Sequence, residues 1–251
     1  MLDANDTPFF SIDAPVQEVS LPDHKLQFYE LIIGGRKIVL GLAKRLARVE
    51  ARQRLIKFAD QVTASWNQVD HEMLETMKIR NALARAEEFI LSRLMIDYGI
   101  PLHASIGSDV GKIAFVSITH SSSTVAVAIS STPVGIDHEI IKQRPKEWRL
   151  KMDPFNQVEE LQALLQQWSV DSRAVAETVA WCVKEATLKV YGMRKNIETL
   201  PGISIQIKGS KIITFFLGMD GGGMCETHVM IDQEDRESDV LAIAIIPRDT
   251  A

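Results

Sequence analysis

The stretch KIAFVSITHSSSTVAVAISSTPVGIDHEII, residues 112–141, limits the possible folds most strongly. β-Branched residues crowd it, and polar breaks at 119–124 and 130–133 interrupt it. That texture predicts three short strands, over 113–118, 124–130 and 134–138. A chain carrying them in mid-sequence must supply both partner strands and a covering layer from either side.

The flanking segments have a different texture. Upstream, DHEMLETMKIRNALARAEEFILSRLMIDYGI reads as one long helix, with Leu83, Ala86, Phe89, Ile90 and Leu94 at a period near 3.6. Gly99 and Pro101 are expected to end it. The segment YELIIGGRKIVLGLAKRLARVEARQRLIKFADQV begins as a short apolar run and then turns helical, with Leu42, Leu46, Val49 and Ala51 among basic residues. Residues 1 to about 25, punctuated by Pro8, Pro15 and Pro22, read as irregular. Downstream, helices are predicted over 157–167 and from Ser172, a good N-cap residue, to Gly192. A meander of strands near 203–208, 211–217, 225–231 and 239–246 follows, separated by Gly209-Ser210, GMDGGGM and QEDRESD. DGGG at 220–223 precedes a strand rather than a helix, so it reads as a hairpin turn and not a phosphate loop. The order helices, strands, helices, strands predicts an α+β chain. Its two tandem halves, 1–132 and 133–251, join near Thr132-Pro133.

Bulk properties exclude several classes. The 251 residues carry a net charge of −5, which argues against broad nucleic-acid binding through a basic surface. No run approaches about 18 uninterrupted apolar residues, so no membrane span is expected. Cys182 and Cys225 make no disulfide framework and point to a reducing, cytoplasmic setting. The opening MLDANDTPFF is acidic where a signal peptide would be basic.

Four short pieces carry candidate chemistry. In VGIDHE, residues i and i+2 of a strand share a face, so Asp137 and Glu139 project together. Paired carboxylates suit a hard cation such as Mg²⁺, and a solvated acidic strand end is the plainer alternative. His138, between them, should point away and serve structure. In TVAWCVKEATLKVYG, Glu185 and Lys189 are four apart on one helix face, with Lys184 one step round. An exposed ion pair is the plain reading of that spacing. Cys182 reads as a packed small hydrophobe. SITHSSS offers Thr119 and His120 in a hydroxyl-rich loop that can grip phosphate or can be a simple turn. In RAEEFILSR, Arg85 and Arg93 lie eight apart, roughly on one helix face with Glu88 between them, and a charged helix face is the plain reading.

Taken together and in order, SITH, VGIDHE and WCVKEATLK resemble the motif series of the 4'-phosphopantetheinyl transferases. The likeness is to their surfactin-type, enterobactin-synthetase-component-D-like branch. It runs from about 85 to 192 and includes R-x-x-E-F-x-x-x-R, met by Arg85, Glu88, Phe89 and Arg93. The resemblance implies two pseudo-symmetric halves with the active site between them. It also implies transfer of the phosphopantetheine arm of coenzyme A to a serine of an apo acyl or peptidyl carrier protein, releasing 3',5'-ADP. By position, Asp137, Glu139 and Glu185 would bind Mg²⁺. Lys189, assisted by Lys184, would meet the pyrophosphate. Thr119, His120, Arg85 and Arg93 would hold the rest of coenzyme A. Glu185 or a metal-bound water would serve as base. Thr119 stands where the family usually has serine. GIPLH lacks the family's lysine before proline, leaving Lys112 or the arginines to substitute. The resemblance covers neither the first 70 residues nor the choice of carrier. An internally duplicated chain of this kind is expected to act as a monomer, with docking charge available in RKIVLGLAKRLARVEARQRLIK. Two other readings stay open: another Mg²⁺-dependent phosphoesterase or nucleotidyl transferase, and a non-catalytic coenzyme A-binding relative.

Overall fold

The structure is a computed structural model that describes residues 10–62, 66–106, 114–147, 152–153, 157–167, 172–192, 200–208, 211–216, 223–232 and 238–247. Three strands come first: β1 (Gln17–Leu21), β2 (His24–Ile33) and β3 (Arg36–Lys44). Helices α1 (Val49–Val62), α2 (Gln68–Ile79) and α3 (Leu83–Ile106) follow, then β4 (Phe115–His120), β5 (Thr124–Ser130) and β6 (Val134–Ile140). Helices α4 (Gln157–Gln167) and α5 (Arg173–Val190) precede β7 (Ile203–Lys208), β8 (Lys211–Phe216), β9 (Gly223–Asp232) and β10 (Asp239–Ile245). The class is mixed α+β.

Two five-stranded antiparallel sheets form, in the orders β1-β2-β3-β5-β4 and β6-β10-β9-β8-β7. Every strand of the first precedes Thr132 and every strand of the second follows Pro133. Period-two alternation decides which layer each residue joins. In β5, Val125, Val127 and Ile129 face α1–α3, while Ala126 and Ala128 face the other sheet. In β10, Val240, Ala242 and Ala244 face α4 and α5, while Leu241, Ile243 and Ile245 meet the first sheet. The molecule is therefore layered helix, sheet, sheet, helix, with three apolar seams. Each fully buried Leu or Phe in them, such as Phe28 or Leu91, contributes about 1.5–3 kcal/mol.

Several expectations need correction. The N-terminal region is not irregular up to residue 25, because β1 and β2 begin within it. The segment read as an apolar run turning helical is a hairpin as far as Lys44, and the expected helix begins only at Val49. Gly34 and Gly35 both take positive φ, 54° and 68°, which suits the tight turn between β2 and β3. Leu42 lies in β3 rather than on a helix. The single long helix is two, broken where Asn81 adopts φ 52°, a left-handed conformation its short polar side chain tolerates. Pro101 does not end α3, which continues to Ile106. Both Pro101 and Asp97, whose carbonyl loses its helical donor, are on the exposed face. Helix α4 has the predicted bounds. Ser172 takes the N-cap position of α5 without a side-chain cap bond. Lys112, Gly209-Ser210 and the turn residues Asp220–Gly222 lie outside the described residues. Among the described residues, no helix is long and apolar enough to cross a membrane.

Candidate functional site

The two sheets meet edge to edge at β4 and β6, and hydroxyl groups make the splice. Ile136 N–H donates to Ser117 Oγ at 3.1 Å, and His138 N–H donates to Thr119 Oγ1 at 3.2 Å. Thr119 in turn donates to Asp137 Oδ1 at 3.1 Å. Thr119 thus bonds to the first carboxylate of the D-x-E motif, and both sides of its hydroxyl are engaged.

Gly135 sets the distance between β6 and α5. A Cβ there would lie 1.9 Å from the carbonyl oxygen of Ala186 and 2.9 Å from Val190 N. Only glycine permits that approach. It seats the last turns of α5 directly on β6. Lys189 consequently donates to Ile136 O at 2.8 Å and to Asp137 Oδ1 at 2.9 Å. Asp137 is almost fully buried, and its second oxygen, Oδ2, has no hydrogen-bond partner.

Glu185 is buried one helical turn before Lys189. The thiol of Cys182, a further turn back, reports on the neighbourhood. Burial first, then the fields of Asp137, Glu139 and Glu185, push it well above the ordinary thiol value. Cys182 packs as expected, with Sγ 3.7 Å from Val240 O. Glu139, on the same face of β6 as Asp137, is partly exposed and accepts from Lys142 Nζ at 3.2 Å. Arg144 Nη2 lies 3.6 Å from the same oxygen, and its guanidinium stacks 5.0 Å from the Trp181 ring. These two cations were not singled out in the sequence. Their only signal was their place three and five residues beyond Glu139.

Lys184 goes elsewhere. Its buried ammonium donates to Met152 O at 2.6 Å. Burial lowers its pKa to about 8, with Asp153 opposing the shift.

The remaining candidates separate into two groups. Arg85 and His120 line a cleft of about 330 Å³ with Glu88, Phe89, Ile118 and Val125. His120 is exposed, with Nε2 3.5 Å from Glu88 Oε2. Arg93 does not reach this cleft. It holds Asp70 of α2 at 2.6 Å and lies over the Phe89 ring. Arg45, another residue not singled out, fixes the cleft wall: Nη1 donates to Ser121 O at 2.6 Å and lies 2.7 Å from Glu88 Oε1. Behind it, Glu87 is fully buried among His24, Arg52 and the amide of Leu46. Of the basic stretch, Arg45 and Arg52 are thus spent on buried Glu87, while Arg54 pairs with Asp23 at the surface.

The donor set around Asp137 fits a hard divalent cation by chemistry: carboxylate oxygens, one of them buried and unpartnered. The positions are less preformed. Among the described residues, no group of three or more His, Cys, Asp or Glu side chains stands ready to hold a metal. Lys189 bonds to one Asp137 oxygen, and Lys142 bonds to Glu139. Arg85 and His120 line one cleft, whereas Lys189 is not among its lining residues and is held by Asp137 and the Ile136 carbonyl. A cation could meet Asp137 Oδ2 directly, whereas Asp137 Oδ1 and Glu139 Oε2 would have to exchange their ammonium partners for it. No family model matches the chain. No curated protein matches it either.

Proposed function

We propose that the chain is a 4'-phosphopantetheinyl transferase acting on an acyl or peptidyl carrier protein, with two pseudo-symmetric halves and coenzyme A bound between them. The observation that carries the reading is the meeting of Lys189 with Asp137 across Gly135. It joins two of the motifs, 52 residues apart, that resemble the family's.

Asp137, Glu139 and Glu185 would hold Mg²⁺, which when bound supplies charge neutralisation at the pyrophosphate. Lys189 then turns from Asp137 to the phosphate oxygens. Arg85 and His120, lining the cleft beside β4, hold the phosphate at the nucleotide end. The carrier serine oxygen attacks the β-phosphorus, and the bond from that phosphorus to the bridging oxygen of the 3',5'-ADP breaks. The serine proton passes to the carboxylate of Glu185. Positioning and charge, rather than covalent participation, carry most of such a reaction. Lys184, committed to Met152 O, supports α5 instead of contacting substrate. A monomeric protein working in the cytoplasm suits this reading.

The test is direct. Protein incubated with coenzyme A, Mg²⁺ and a panel of apo carrier proteins should add the phosphopantetheine mass to at least one of them. Glu185→Gln should lower turnover about 10²-fold or more, the range for general base catalysis, while coenzyme A still binds. A folded protein that modifies no carrier from its own source would overturn the reading. Hydrolysis of simple phosphate esters without a carrier would favour the phosphoesterase instead.

A further inference from the structure

Helix α2 is anchored lightly: of its 12 residues, only Asp70 and Leu74 are buried. Val69, Met73, Thr76 and Arg80, spaced four, three and four, make one stripe along it. The stripe walls an open cleft of about 370 Å³, which Met77, Ala82 and Arg85 help to complete. Val69 and Met73 are apolar yet 63% and 43% exposed. Apolar surface rimmed by polar groups marks an interaction site. Arg80, at the C-terminal cap of α2, and Arg85 add two guanidinium groups. Among the described residues, neither side chain has an ion-pair or hydrogen-bond partner. The described lining has one carboxylate, Glu72, which accepts from Gln68 Nε2 at 2.8 Å. Lys78 is spent on Asp60 and Glu75. Met77 and Arg85 also line the cleft beside His120, so the two clefts adjoin.

We propose that this stripe docks the carrier protein through an amphipathic helix, apolar on the face it buries and acidic along its border. The identity of the partner rests on the transferase reading. Charge selects the occupant: two cations against one carboxylate attract an acidic surface. A second copy of this chain would set the same cations against themselves in a symmetric contact, and its net charge of −5 adds to the repulsion. The spacing suits helix-in-groove recognition, with the partner's apolar anchors between Val69, Met73 and Met77. Adjacency through Arg85 then brings the carrier to the mouth of the cleft assigned to coenzyme A.

Steady-state transfer of the arm to the panel of apo carriers, over a range of carrier and salt concentrations, tests the site in the full chain. Met73→Glu and Arg80→Glu are compared with the parent. Both side chains are exposed and lie outside the proposed coenzyme A contacts, so kcat, the KM for coenzyme A and the urea midpoint should hold. Each variant should raise the carrier KM about tenfold or more. The parent's carrier KM should climb with salt; Arg80→Glu should flatten that dependence and Arg80→Lys should keep it. Transfer by the parent with an unchanged carrier KM in both variants would overturn the docking site and leave the transferase reading standing. A raised KM for coenzyme A instead would overturn it by making the stripe part of the nucleotide site. No transfer to any carrier would overturn the transferase reading and this partner with it. Sedimentation of the parent with phosphatidylglycerol vesicles, lost in Met73→Glu, would assign the stripe to a membrane surface and overturn the proposal.

Discussion

Lys189 and Asp137 meet across the junction of α5 and β6: the ammonium donates to the carboxylate at 2.9 Å and to the Ile136 carbonyl at 2.8 Å. The helix carboxylate at 185 and the strand carboxylate at 137 belong to one neighbourhood because this contact draws their elements together. What makes the contact possible is the missing side chain at residue 135.

Gly135→Ala follows directly. The added methyl would press on the Ala186 carbonyl, a backbone atom that cannot rotate aside. Overpacking of this kind costs about 1–3 kcal/mol or more. Urea unfolding should show that loss, and Lys189 should no longer reach Asp137. An alanine variant as stable as the parent would mean that α5 does not rest on β6.

Arg85 and Arg93 should part company on substitution. Arg85→Ala removes a cation from the cleft and should weaken coenzyme A binding roughly ten- to hundredfold, with stability little changed. Arg93→Ala strips the cation from buried Asp70, leaving only its bond from Asn67 among the contacts described, and should cost about 1–3 kcal/mol of stability, with coenzyme A affinity nearly intact. Calorimetry and urea titration on both variants distinguish the roles. The reverse pattern would place the nucleotide at Arg93, farther along α3.

The His24–Glu87 pair should give the fold a pH signature. Burial opposes the charge on His24, but the hydrogen bond to Glu87, the Pro22 carbonyl and the fields of Glu87 and Asp23 together raise the pKa above 6.5. Burial likewise opposes the charge on Glu87. His24, the Leu46 amide and Arg52 together hold its pKa below 4.5. The histidine's contribution is complete below 6.5 and is lost as pH rises through its raised value. The glutamate's is complete above 4.5 and is lost as pH falls through its lowered value. The stability gap between the parent protein and His24→Gln should therefore be widest between pH 4.5 and 6.5 and narrow on the alkaline side. A gap that grows from pH 7 to 9 would contradict the pairing.

Neither cysteine should react in the native state. Cys182 and Cys225 have no exposed surface. Burial raises both thiols, Cys225 to about 11. Mass spectrometry after treatment with an aromatic disulfide should find both unmodified until the chain unfolds in urea, and then both labelled.

The candidate site was more legible in the sequence than the first third of the fold. Asp137, Glu139, Glu185 and Lys189 are named by short spacings on regular elements, and local period fixes which way they point. Arg93 and Lys184 share their neighbours' helix faces to within a step, but tertiary partners, Asp70 and Met152, take their charges. Spacing along one helix carries no information about such distant partners. The β2–β3 hairpin was hidden because Leu42, Leu46, Val49 and Ala51 fit a helical period by chance across a strand–loop–helix boundary. Gly34-Gly35 held the signal, and the basic residues after it obscured the alternation. The break at Asn81 was masked by apolar residues that keep a helical rhythm on both sides of it.

Ser117 and Thr119 take the outward amides of β6 at two successive positions. A sheet margin whose donors are already occupied offers a foreign strand no ladder to extend, so this border is guarded against fibril-like growth. The guard consists of rotatable oxygens rather than peptide groups. Each half consequently keeps its own ladder whole, and the join between them is made by side chains alone at these two positions.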